Sequence, residues 1–174
     1  DVNTYTVFAE LNRQLLAPRG RVGCIVPSGI ATDDSTKFFF QDMMKGNLLF
    51  SLYDFENRKK IFPAVDSRMK FTLLTVTGKG APVTGGADLS FFNQSVHDLD
   101  DPERRFRLSA DEIKTLNPNT RNCPIFRNVK DAALTKAVYR RVPILWQEKI
   151  PDLMQDERNP WQIRFSTMFH MSGA

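Results

Sequence analysis

An α/β fold, with helices layered on a sheet, is the class this sequence predicts, and three observations predict it. Helical periods and short apolar runs alternate through the first half of the chain. The connections between them are only a few residues long, as in sheets with right-handed crossovers. Of the 174 residues, 41% are hydrophobic and 11% aromatic, mostly Phe, which is enough to bury a core.

Each element has its own signal. Tyr5, Phe8, Leu11, Leu15 and Leu16 recur at helical spacing, with Asn3 or Thr4 as cap and Pro18 just beyond the end. Arg19-Gly20 then turns into Val22–Pro27, a continuous apolar run of the kind found in strands covered on both faces. Ser28–Ser35 offers a loop and several N-caps, and a helix from about Thr36 to Lys45 stops at Gly46-Asn47. Leu48–Phe55 reads as a second strand and Lys70–Thr77 as a third. No helix lies between them, so the third is expected to run antiparallel to its neighbour.

At Gly78 the composition changes, and Gly78–Gly86 predicts a flexible tip and a boundary between residues 1–78 and residues 79–174. The second part is expected to be mixed and mainly helical. Leu89–Phe92 is a candidate strand, and Asp98–Arg105 is a polar turn. Ser109-Ala110-Asp111-Glu112 has the form of a capping box opening a helix to Leu116. A last helix runs from about Asp131 to Arg141, with Leu134, Ala137 and Val138 on one face; beyond Ile144 no period is clear.

Composition also narrows the function classes. The net charge of +4 is a mild bias toward polyanions. Cys24 and Cys123 are far apart, Cys24 within a strand-like run, so reduced thiols in a cytoplasmic setting are expected rather than a disulfide or a metal site. No apolar run is long enough to span a bilayer. The sequence begins at Asp1 in what reads as the turn before a helix, so an excised piece of a longer polypeptide is expected. His97 and His170 are the only histidines and neither lies near a nucleophile elbow. Asn159-Pro160-Trp161 reads as a turn.

The stretch with most to say about function is Arg58–Thr77. It joins two strand-like runs through a loop carrying Arg58, Lys59, Lys60, Arg68 and Lys70, and a Phe62-Pro63 pair. Two readings are open for Phe62: a plug at the end of the core, or a flat apolar face for a base held where cations attract phosphate.

Several phrases in matching order carry a family likeness: Asn3–Glu10, Leu15–Ser28, Tyr53–Arg58, Ile61-Phe62-Pro63, Val65–Phe71 and Asn117–Phe126. Together they resemble the second half of the catalytic domain of adenine-N6 DNA methyltransferases, above all the large methylase and combined restriction-methylase polypeptides of type II restriction-modification systems. The resemblance implies the second half of a Rossmann-like S-adenosylmethionine-dependent methyltransferase sheet, its last strand antiparallel, followed by a segment leading to the DNA target-recognition region. It implies S-adenosylmethionine as methyl donor, double-stranded DNA as partner, and an adenine rotated out of the duplex as target. Phe62 would stack on that adenine and Phe8 would pack on the cofactor's adenine ring, with Lys59, Lys60, Arg68, Lys70 and Arg121 as DNA contacts. The family's glycine-rich cofactor loop and its Asn-Pro-Pro-aromatic motif are not in the sequence. The chain is therefore expected to work with an N-terminal half on the same polypeptide and to be inactive alone. A rival reading is a noncatalytic nucleic-acid-binding module built on the same half sheet.

Overall fold

The computed structural model describes residues 3–164. Helix α1 (Thr4–Gln14) leads through a turn at Ala17–Gly20 into strand β1 (Arg21–Pro27). Helices α2 (Gly29–Thr32) and α3 (Lys37–Lys45) follow, then β2 (Leu49–Glu56), a long loop, and β3 (Lys70–Thr77). Strands β4 (Ala87–Asn93) and β5 (Phe106–Leu108) and helices α4 (Ala110–Leu116) and α5 (Val129–Arg141) complete the order.

The five strands form one mixed sheet in the order β1-β3-β2-β4-β5. β3 lies antiparallel between β1 and β2, as its helix-free connection predicts, while β4 runs parallel to β2 and β5 antiparallel to β4. β1, β2 and β4 therefore point the same way, and their carboxyl ends share one rim. One sheet face carries Val26, Leu52, Leu74, Val76 and Leu89, which join Ile30, Phe40, Met43 and Ile113 from the helices in a single core. The other carries a row in register, Ile25, Leu73 and Tyr53, in which Ile25 is 56% exposed.

The expectations for individual elements need several corrections. β1 is an edge strand with alternating burial, not a strand covered on both faces; among the described residues it pairs with β3 alone. The apolar stripe expected on α1 points largely outward: Ala9 is its buried residue, while Phe8, Leu11 and Leu15 are exposed. The same holds for α5, which buries Ala132 and leaves Leu134, Ala137 and Val138 exposed. The region after Gly78 carries both expected helices and the expected strand, but it also adds β5, which was not expected, to the same sheet.

Nor is the glycine-rich segment a free tip. Gly78 N donates to Gly20 O at 2.9 Å, Gly80 N to Pro18 O at 2.7 Å, and Val83 N to Asn47 O at 2.8 Å. A Cβ on Gly78 would collide with the backbone of Ala17 and Pro18, which is why the close approach needs glycine there. The capping box is present as read, with Glu112 N donating to Ser109 Oγ and Ser109 N to the Glu112 carboxylate. Asn159–Gln162 is a turn closed by Gln162 N on Asn159 O, and His170 lies outside the described residues. Both described cysteines are unbridged, and burial pushes each thiol above its ordinary value. No described helix is long and apolar enough to cross a membrane.

Candidate nucleic-acid interface

Ligands of α/β sheets gather outside the carboxyl ends of parallel strands, where helix-free loops can present side chains. In this chain that rim holds Ser28 after β1, Asp54 and Asn57 at the end of β2, and Phe92 and Asn93 at the end of β4. The loop between β2 and β3 rises from it.

One side chain organises that loop. Asn57 is fully buried; its Oδ1 accepts from Phe62 N at 2.9 Å, and its Nδ2 donates to the carbonyls of Phe62 and Val65 at 3.0 and 2.9 Å. Its own N–H donates to Met69 O at 3.0 Å, which closes the loop base. A buried amide with every group satisfied makes a rigid hub, because leaving any of them open would be costly.

The hub sets Phe62 edge-on against Phe71, with centroids 4.8 Å apart and planes at 73°, and Phe71 stacks on Phe55 at 5.4 Å and 7°. Phe62 is half-buried. Its ring is thus seated on an aromatic column without being enclosed in the core, between the two readings the sequence left open.

Four of the five loop cations have partners. Arg58 and Lys70 both reach Glu56, at 2.8 and 3.4 Å; Arg68 pairs with Asp66 at 3.0 Å; and Lys60 Nζ donates to Val65 O at 3.0 Å. Lys59 has no ion-pair partner among the described residues. Burial pushes the Glu56 carboxyl up, but Lys70 and Arg58 together hold it below the ordinary range. Ion pairs this close to solvent are weak, so an arriving phosphate can take over the cations.

The polar floor of the rim was not legible in the sequence. Asp54 is 3% exposed and its carboxylate bridges two strands, accepting from Ser28 Oγ on one oxygen and from Phe92 N at 3.4 Å on the other. Burial pushes its carboxyl above the ordinary range, and the Ser28 hydroxyl opposes that. The only signal for it was a carboxylate inside an apolar strand run.

Phe8 stands 61% exposed on α1, free of the core. Because α1 precedes β1 by one tight turn, its early turns lie toward the carboxyl rim. Arg121 is not brought to the loop: it sits at φ 52°, donates to Gln155 Oε1 at 3.3 Å, and lines cavities of about 920 and 980 Å³ beside α4. Its segment is tied instead to α2, through Cys123 N on Ala31 O at 2.9 Å and Asn122 Nδ2 on Thr32 O at 3.0 Å. Set beside known proteins, the chain matches no family model, no curated protein and no solved structure.

Proposed function

We propose that this chain is part of a site-specific DNA adenine-N6 methyltransferase of a restriction-modification system, and that it contributes the surface on which an extruded adenine rests. The observation that carries the reading is the placement of Phe62: a half-open ring, fixed by the buried Asn57 and backed by Phe71, on a loop with five cations at the carboxyl rim of the sheet. An unstacked base needs a flat apolar face and a nearby positive charge for its phosphates, and this loop supplies both. The antiparallel β3 between parallel β1 and β2 agrees with the last three strands that the sequence likeness implies.

S-adenosylmethionine supplies the methyl group in such a reaction. Of the residues here, Phe8 is the one proposed to lie against its adenine ring, and it is exposed on α1 and so open to a ligand. The chain's own tasks are to hold the base through Phe62 and to attract the duplex through Lys59, Lys60, Arg68 and Lys70. The groups that grip the target amine belong to the remainder of the polypeptide in this reading, and the setting is cytoplasmic.

The test is methylation of adenine in duplex DNA by the protein carrying the upstream segment, with Phe62→Ala as the variant. Loss of methylation with cofactor affinity unchanged is the expected result. Loss of cofactor affinity with normal base extrusion would contradict it, and DNA binding without any methylation would favour the noncatalytic module.

A further inference from the structure

Phe92 is an aromatic residue in a backbone conformation that suits glycine. Its φ is 61°, in the left-handed region where a bulky side chain is strained. The cause is a bulge: Tyr53 of β2 faces Ser90 and Phe55 faces Asn93, so Phe91 and Phe92 together oppose the single residue Asp54. Buried polar groups hold the bend. Phe92 N donates to Asp54 Oδ2, Asn93 Nδ2 donates to Asp54 O at 2.9 Å, and Ser90 and Asn93 are fully buried.

The bend aims the ring toward the carboxyl rim. Phe92 is half-buried, resting on the core, with Lys70 Nζ and Arg127 Cζ at 5.1 and 5.0 Å from its centroid. A cavity of about 640 Å³ opens beside it. The cavity's carboxylates are engaged: Glu56 by Arg58 and Lys70, Asp98 and Asp101 by Arg104, and Glu103 by Lys130. Lys59 and Arg127 also line it, and neither has an ion-pair partner among the described residues. Phe92, Lys59 and Arg127 line one cavity with Arg127 over the ring, and an aromatic ring beside cations has the chemistry of a nucleotide site.

We infer that Phe92, Arg127 and Lys59 form a second nucleic-acid contact, in which a nucleotide of the DNA strand lays its base on the Phe92 ring and its phosphate against the two cations. This rests on the reading of the rim as a DNA-facing surface. The ring's packing on the core is held at the cost of a left-handed backbone that glycine would adopt without strain.

The experiment titrates the chain with a fluorescent duplex containing one unpaired adenine, at several salt concentrations, beside thermal melts. Phe92→Gly relieves the backbone strain but gives up the ring's packing on the core, so its melting temperature is expected to stay close to the wild-type value while it binds roughly tenfold more weakly. Phe92→Leu keeps the bulk and loses the flat face, and it too should bind more weakly. Arg127→Ala should flatten the salt dependence by about 0.9 in the slope of log K against log salt. A Phe92→Gly protein that melts lower and binds as well as wild type would overturn the inference. If Phe62→Ala weakens binding while both Phe92 variants do not, this inference falls and the proposed function stands. A wild-type chain that does not bind the duplex at all counts against the DNA reading itself.

Discussion

Asn57 and Phe62 hold each other through a reciprocal pair of hydrogen bonds: Phe62 N donates to Asn57 Oδ1 at 2.9 Å, and Asn57 Nδ2 donates back to Phe62 O at 3.0 Å. The Phe62 ring is therefore positioned by an amide that never meets solvent. Asn57→Ala leaves several buried backbone groups unpaired, and is expected to cost about 2–3 kcal/mol of stability and to open the loop to protease. Urea denaturation and limited proteolysis between Arg58 and Met69 check this.

Phe62→Ala should leave the fold nearly intact, because the ring is seated on the rim rather than in the core. The loss should appear at the base, at about 1–3 kcal/mol of binding to a duplex with an unpaired adenine, measured by titration at fixed salt.

Glu56 restrains two loop cations at once, so Glu56→Gln should free Arg58 and Lys70 and tighten DNA binding at low salt, with a steeper salt dependence. The same carboxyl makes stability depend on acid. Its folded value lies below the ordinary 4.5, so its contribution is present above 4.5 and is lost as pH falls through the folded value. The variant should lose less stability than wild type between neutral and acid pH, as read by denaturation at each pH.

Asp54 carries the opposite sign. Its folded value lies above 3.8, chiefly through burial, so the fold favours the neutral carboxyl; that contribution is full below 3.8 and is lost as pH rises through the folded value. Ser28→Ala removes the hydroxyl that supports the charged form. It should cost about 2 kcal/mol at pH 7 and distinctly less near pH 3, where the group is protonated in both states. Equal losses at both pH values would show that the hydroxyl matters only for packing.

The unpaired edge of β1, with Ile25 exposed beside it, is an invitation to pair with another strand. Ile25→Lys should reduce concentration-dependent association of the chain, as measured by sedimentation, without lowering its melting temperature.

Elements with strong local signals could be read from the chain directly. β3 needed only an apolar run after a helix-free loop, and α4 needed only its capping box. What could not be read was how the elements face one another. Phe8, Leu11 and Leu15 have perfect helical spacing, yet they point away from the core because α1 lies on an edge strand, and edge position is a property of sheet order rather than of local sequence. Phe62 stands out in the sequence because proline and cations mark its loop. Phe92 does not, since nothing in Ser90-Phe91-Phe92-Asn93 signals a left-handed residue where glycine or asparagine is the usual choice.

The insertion of β3 between β1 and β2 also sets a timetable for the newborn chain. The two parallel strands share no ladder of their own, so neither can settle against the other until synthesis has delivered the segment that divides them. β1 and β2 meet only through β3, so a ribosome pausing inside the Phe62 loop would leave both without the strand they share.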